Sequence, residues 1–297
     1  MEKDAETNSL KNLKEQGGGN MSRPSAVRQI PVYVSKSYRL FMNQGDWKFI
    51  VIATVISFLV CSIVGKDMFS TYEDTKSGFF AIISAAIWIG VFNSIQKICK
   101  EHDTITSEYR SGLHISAYVL SHVIFDFVLC LIQSIILILI CMMFIDFPSD
   151  GIILGKSVFE YFITLFLIIW GSDIMGIMIS SVASAPNVAM TAMPFVLILQ
   201  LVMSGVLFDL SGWSEKVAYI TFSKWGMSAL GSIGDLNSES LPLKMSQVFP
   251  DVVRLETEAA YEATASNLLS AWGCIGLISV SCIIIALISL KIRNRGS

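Results

Sequence analysis

The chain has 297 residues, of which 53% are hydrophobic and 15% are charged, and its formal net charge is −3. This composition is too apolar for an ordinary soluble protein of this size, and nothing in the charge balance points to a nucleic-acid partner. The apolar residues form runs of about 20 residues, the length that a helix needs to cross a bilayer. We therefore expect an all-α membrane protein with several spans.

The first 25 residues are polar and include Gly17-Gly18-Gly19, so we expect a disordered cytoplasmic leader and no cleavable signal peptide. Residues 26–44 predict an amphipathic helix, because apolar side chains recur there at intervals of three and four. A basic amphipathic helix beside a span lies in the plane of the membrane interface. The stripe consists of Val27, Ile30, Val34, Tyr38 and Phe41.

Residues 45–291 predict a six-span domain, followed by a cytoplasmic tail at 292–297. Pro186 and Asn187 separate the fourth span from the fifth. Residues 209–263, between the fifth and sixth spans, are expected to form an outer cap. The predicted spans are 47–65, 78–98, 117–145, 158–181, 188–208 and 265–290.

Lys and Arg are about twice as abundant on one side of these spans as on the other, which predicts that both termini are cytoplasmic and that the chain lies in the plasma membrane. The segment GIILGKS, residues 151–157, then falls outside the cell. It resembles a phosphate-binding loop but has three residues, not four, between its glycines. We expect no nucleotide binding, catalytic residue or metal site on this chain.

Two acidic residues, Asp126 and Asp173, fall in the third and fourth predicted spans. An ionisable group inside the bilayer is costly and often marks a functional site. A proton relay and a hydrogen-bonded structural acid are the two open interpretations. The structural interpretation is favoured for Asp126, whereas Asp173 has no cationic partner near it in sequence.

The segment between the second and third spans, FNSIQKICKEHDTITSEYRSGLHISAYVLSHVIFD, carries a series of spaced polar residues. They are Glu101, Glu108, Arg110, Gly112, Ala117, Tyr118 and Asp126. In this spacing the segment resembles the transmembrane domain of type-2 ABC transporters, with the architecture of the ABCG and White subfamily. The segment departs from the family pattern at four positions. His102 and Ser107 replace two arginines, His114 replaces a tyrosine, and Val128 replaces a proline.

The resemblance extends over residues 26–290. Residues 203–230 are similar to the end of the family's fifth span and its outer re-entrant helices, and 26–44 are similar to its connecting helix. The resemblance implies a permease subunit of an ATP-driven exporter, paired with a second copy or a paralogue. It implies no enzyme activity on this chain.

The resemblance also implies a partner ATPase that binds ATP and Mg. Because no ATPase domain precedes residue 26, a separate ATPase chain is expected, and the Arg28-Gln29 leader is similar to the group whose ATPases carry forkhead-associated domains. The turn 183–187 is expected to make a second, shorter contact with the ATPase. The residues expected to couple to the ATPase are Glu101, Glu108, Arg110, Gly112, Arg28 and Lys36.

In the family, spans two and five line the central cavity. The corresponding side chains here are mostly apolar, which suits a hydrophobic or amphipathic substrate such as a peptide, a lipid or a drug-like molecule. The alternatives are a proton-coupled secondary transporter using Asp126 and Asp173, although no inverted repeat is evident, and a membrane scaffold or sensor. The expected lining residues are Trp88, Phe92, Asn93, Gln96, Phe195, Leu199 and Met203.

Overall fold

A computed structural model describes residues 25–238, 241–244 and 258–295. The predicted leader therefore lies almost wholly outside the described residues, as does part of the predicted outer cap. Throughout the described part the chain is helical, and its one β-bridge is an isolated pair between Asp150 and Lys156. The prediction of an all-α fold is confirmed.

Eleven α-helices occur in these described ranges, together with two short 3₁₀ turns at Lys66–Phe69 and Ala259–Tyr261. The helices are α1 (Ala26–Gln44), α2 (Lys48–Val64), α3 (Tyr72–Ser94), α4 (Lys97–Lys100), α5 (His102–Arg110), α6 (Ile115–Phe144), α7 (Ser157–Val182), α8 (Pro186–Val202), α9 (Trp213–Ala218), α10 (Phe222–Ile233) and α11 (Ala265–Arg295).

Four stretches are long and apolar enough to cross a membrane: Tyr72–Lys100, Ile115–Phe144, Ser157–Val182 and Ala265–Asn294. The bent pair α1 and α2 makes a fifth if it is counted as one span, and α8 is a shorter apolar helix. Helices α2 and α8 each have 17 residues. At about 1.5 Å per residue, each is somewhat shorter than a bilayer core of roughly 30 Å. The structure thus establishes four to five candidate spans rather than the predicted six.

A sharp bend of 72° separates α1 from α2. Gly45 makes this bend possible, because its φ of 77° lies in the left-handed region that glycine adopts without strain, and its amide donates to the Phe41 carbonyl. The apolar stripe of α1 is only partly in contact with the protein. Val27 and Tyr38 are exposed, whereas the Phe41 ring packs against the Phe125 ring and Gln29 is buried. An exposed apolar stripe suits a helix that lies in the membrane interface.

Helices α3 and α7 cross at very short range. A Cβ atom on Gly90 would lie 2.2 Å from the Ile169 carbonyl oxygen, and one on Gly176 would lie 2.2 Å from the Ser94 hydroxyl. The Ser94 hydroxyl donates to the Asp173 carbonyl at 2.6 Å. Small residues and interhelical hydrogen bonds are the usual means by which membrane helices associate. This crossing forms the centre of the bundle, on which α6, α10 and α11 also pack.

The GIILGKS loop folds around the carboxylate of Glu160, a residue in the first turn of α7. The backbone amides of Ile152, Ile153 and Leu154 donate to the buried Glu160 carboxylate at 2.9, 2.5 and 2.8 Å. Consecutive backbone amides form an anion-binding concavity of the kind found in phosphate loops. In this loop the carboxylate of α7 fills the concavity.

A charged cluster attaches the predicted outer cap to the start of α3, beside a second ion pair between Lys244 and Asp74. The Lys76 ammonium lies 2.7 Å from the Glu258 carboxylate and packs over the Tyr261 ring, and the Tyr72 hydroxyl donates to the same carboxylate. Lys76 is mostly buried, so this ion pair is less screened than a surface pair. Helix α10 of the cap packs against α3, α7 and α11.

The α3–α7 crossing predicts a strong effect of one added methyl group. Gly90→Ala should lower the free energy of unfolding by about 1–3 kcal/mol, because its methyl group would overlap the α7 backbone. Gly276→Ala on α11 is the matched control, since a Cβ there meets no atom within 4 Å. Thermal unfolding of both variants in one detergent checks this, and equal midpoints would contradict the close crossing.

Candidate functional site

Helices α1, α5 and α6 meet in a polar cluster on the side predicted to be cytoplasmic, and we call this cluster the inner junction. It consists of Gln29, Lys36, Glu101, Glu108, Gly112 and Tyr118. The Lys36 ammonium lies 2.8 Å from the Glu108 carboxylate, and each side chain is 31% exposed. At that exposure the pair contributes only about 0–1 kcal/mol. It orients α1 on α5 more than it stabilises the contact.

Gln29 is the buried residue that fastens α1 to the turn after α5. Its amide nitrogen donates to the Gly112 carbonyl at 3.1 Å, and its amide oxygen accepts from the His114 backbone amide at 2.9 Å. Gly112 has a φ of 108°, a conformation that side-chain-bearing residues rarely adopt. Gln29 therefore satisfies the donor and the acceptor of a turn that glycine alone makes easily.

Sequence reasoning missed this role of Gln29. Its one local signal is position, because Gln29, Tyr33 and Lys36 follow at intervals of four and three and so share one face of α1. The Tyr33 ring packs edge-on against the Tyr118 ring at 6.1 Å between centroids. A polar residue on this face marks the side of α1 that contacts protein.

Glu101 joins the inner junction through Tyr118, whose buried hydroxyl donates to the Glu101 carboxylate at 3.0 Å. Burial raises the pKa of the Glu101 carboxyl above its ordinary value, although the Tyr118 hydroxyl and the nearby Lys36 and Lys97 oppose that rise. Glu101 and Glu108 thus contact α6 and α1, respectively. Each of these acids links α5 to a different helix.

The other predicted coupling residues lie at the surface. Arg28 and Arg110 are exposed. The turn after α7, predicted as a second contact, is held by the Arg293 guanidinium, which donates to the Ala183 carbonyl at 2.8 Å and to the Ser184 carbonyl at 3.1 Å. The end of α11 therefore braces this turn. That any of these residues contacts an ATPase stays a prediction.

A pocket of about 560 Å³ opens beside the inner junction, between α1, α2, the α3–α4 break and α6. Three predicted lining residues, Phe92, Asn93 and Gln96, are on its wall. The same wall includes the aromatic rings of Phe41, Phe49 and Phe125 and the side chains of Lys97 and Lys100. This volume is in the range of small-ligand sites, and the wall is apolar with charged groups at one end.

The remaining predicted lining residues lie elsewhere. Trp88 is 38% exposed, Phe195 is 72% exposed and Leu199 is 44% exposed, whereas Met203 is buried. None of the four lines this pocket. Asn93, although on the pocket wall, exchanges two amide hydrogen bonds with Gln133 at 2.7 and 3.0 Å.

The two intramembrane acids come together. Asp126 forms an ion pair with Lys97, and the buried Asp173 carboxyl lies within hydrogen-bonding reach of Asp126. Lys97, the first residue of α4, pairs with Asp126 and forms no ion pair with Asp173, so Asp173 has no direct cationic partner among the described residues. Lys97 and Asp126 are 29 residues apart, and no local sequence pattern predicts their contact.

The model of a known family, described as the ABC-2 type transporter, matches residues 31–233, which is about two-thirds of the chain. The chain belongs to the ABC-2 type transporter family. The match begins inside α1 and ends at the last residue of α10. It includes every residue of the pocket wall and every residue of the inner junction except Gln29.

The chain is also similar to the ABC transporter ATP-binding/permease protein Rv1747 of Mycobacterium tuberculosis. The two are 25% identical over 236 residues, which are 73% of this chain and 27% of that relative. The chain thus spans about a quarter of the relative's length.

An ABC-2 membrane domain is a transport component, and this chain is accordingly a membrane-embedded protein with several spans. Family membership and the four long apolar helices confirm the predicted class of protein.

The hydrogen bonds of Gln29 predict a specific stability loss. Gln29→Leu should lower the free energy of unfolding by about 1–3 kcal/mol, because the Gly112 carbonyl and the His114 amide would lose their partner. Gln44→Leu, the same change at an exposed position of α1, should have little effect. Thermal unfolding of the two variants compares them. A loss in Gln44→Leu as large as in Gln29→Leu would contradict the assigned role.

Proposed function

We propose that this chain is the permease subunit of an ATP-driven exporter and forms the translocation pathway for a hydrophobic or amphipathic substrate. ATP and Mg bind to a partner ATPase on a separate chain, and the permease performs no covalent chemistry. The observation that carries the proposal is the family match over α1 to α10. It does not favour the proton-coupled alternative.

The inner junction offers a route for force from the ATPase. Helix α5 has an exposed side that includes Asp103 and Ser107, while its other side is fixed to α1 by Lys36–Glu108 and to α6 by Glu101–Tyr118. A push on α5 would therefore move α1 and α6 together. The rigid α3–α7 crossing would pass that movement to the bundle.

A second copy or a paralogue would complete the pathway. Phe195 and Leu199 on α8 are large, apolar and exposed, and the same helix contributes Met190 to the pocket. We propose that α8 faces the partner permease across a shared cavity. In this arrangement α2 and α8 are the two further spans of a six-span domain, α9 and α10 are outer re-entrant helices, and both termini are cytoplasmic, in the plasma membrane.

The pocket supports an amphipathic substrate at the inner side. Its wall presents Phe49, Phe92 and Phe125 to an apolar body, and Lys97, Lys100 and Gln96 to a polar end. We propose that substrate enters here and leaves toward the outer cap. A forkhead-associated domain on the ATPase stays a prediction.

Recovery of the ATPase tests the proposal. Affinity purification of the tagged chain from its native cells in mild detergent, followed by mass spectrometry, should recover an ABC ATPase in about equal amount, with vanadate-sensitive ATP hydrolysis in the fraction. Another tagged six-span protein from the same membrane controls for non-specific recovery. A chain that purifies with no ATPase and no ATP hydrolysis would overturn the proposal.

A further inference from the structure

Three ionisable side chains from three helices meet inside the bundle: Lys97 of α4, Asp126 of α6 and Asp173 of α7. Both aspartates are fully buried, and the Lys97 side chain is 16% exposed. Lys97 pairs with one oxygen of Asp126, and the two carboxyl groups lie within hydrogen-bonding reach of each other. We call these three residues the buried triad.

The triad contains one cation and two carboxyl groups. Among the described residues, no donor reaches the second oxygen of Asp126 or either oxygen of Asp173. The Ser94 hydroxyl of α3 is near, but it donates to the backbone carbonyl of Asp173. Two ionised carboxylates in this position would leave one net negative charge and three buried acceptor oxygens without partners.

Within the described ranges, the other helices around Asp173 supply no further cation. Helix α6 adds the Cys130 thiol, and α3 adds Asn93, whose amide is paired with Gln133. At the neighbouring Gly171, α10 and α11 present Phe222 and Ser279. His122, one turn before Asp126, is buried, and its Nδ1 has no hydrogen-bond partner among the described residues.

Adjacent carboxyl groups with one cation between them share a proton, because a second charge of the same sign is too costly in a low-dielectric interior. The direct contact with Lys97 favours the ionised form at Asp126. Asp173 has no such contact and is therefore the group that keeps the proton. As a carboxylic acid it can donate to the free oxygen of Asp126, which otherwise has no donor.

We propose that Asp173 is a proton-binding site, whose bound proton joins it to Asp126 and makes the buried triad a neutral, hydrogen-bonded link between α4, α6 and α7. The α3–α7 crossing packs closely on the backbone of Asp173, since a Cβ on Gly90 would lie 2.9 Å from the Asp173 amide nitrogen. Lys97 also lines the pocket. Because the bound proton keeps the triad neutral, the net charge that the triad presents to a molecule in the pocket stays constant. The proposal does not depend on the direction or energy source of transport.

Two isosteric variants test the location of the proton. Asparagine has the shape of a neutral carboxylic acid, so Asp173→Asn should unfold at the wild-type temperature. Asp126→Asn removes the partner of Lys97 and should lower the unfolding temperature markedly. Both are measured on the purified full chain in lipid nanodiscs. A stable Asp126→Asn with an unstable Asp173→Asn would place the proton on Asp126 and overturn the assignment.

Infrared difference spectroscopy gives an independent readout that does not require Asp126→Asn to fold. The wild-type spectrum minus that of Asp173→Asn at pH 8 should contain the carbonyl stretching band of one protonated carboxylic acid, shifted in D₂O. Asp103→Asn, an exposed aspartate on α5, should give no such band in its own difference spectrum. A difference spectrum that shows a lost carboxylate band at Asp173 would overturn the proposal.

Discussion

The hydrogen bonds of Gln29 to the turn at Gly112 and His114 are the contact on which the rest of the inner side depends. They unite two segments 83 residues apart, one in the amphipathic helix α1 and one in the turn before the long helix α6. Without them α1 would be held mainly by the half-exposed Lys36–Glu108 pair and by ring packing, which are individually weak. A single buried amide thus makes the amphipathic helix part of the bundle.

Several buried polar groups beyond this junction have partners inside the protein. Asn93 and Gln133 exchange two hydrogen bonds, the Ser94 hydroxyl donates to the α7 backbone, and the Glu160 carboxylate accepts from three amides of its own loop. The bilayer core offers no water to unpaired groups. In these surroundings the buried triad has three acceptor oxygens without a donor, and the proposed proton on Asp173 supplies one.

Hydropathy predicted the long helices closely, because a span must be apolar over a length that the bilayer sets. The predicted span 158–181 corresponds to the helix Ser157–Val182, and the predicted span 117–145 corresponds to the helix Ile115–Phe144. The segment 188–208 was predicted too long, because the helix ends at Val202 ahead of Gly205, which has a φ of 77°. Apolar composition alone does not reveal such a turn.

The spacing of Glu101, Glu108 and Gly112 located the inner junction, and their helical and turn positions agree with the structure. The partners Gln29 and Lys97 could not be predicted, because they arise from contacts between distant segments that leave no local periodicity. The same holds for the pocket. Its wall combines residues of seven helices, so only the side chains of the α3–α4 region were identifiable from sequence.

Photo-crosslinking from α5 tests most directly whether the inner junction receives an ATPase. A photoreactive amino acid is placed at Ser111, an exposed residue directly after α5, and crosslinking is carried out in native membranes. The control position is Leu154, which is 47% exposed and lies in the loop around Glu160. The account predicts an adduct containing an ABC ATPase from position 111 and none from position 154. An ATPase adduct from position 154 alone, or from neither position, would contradict it.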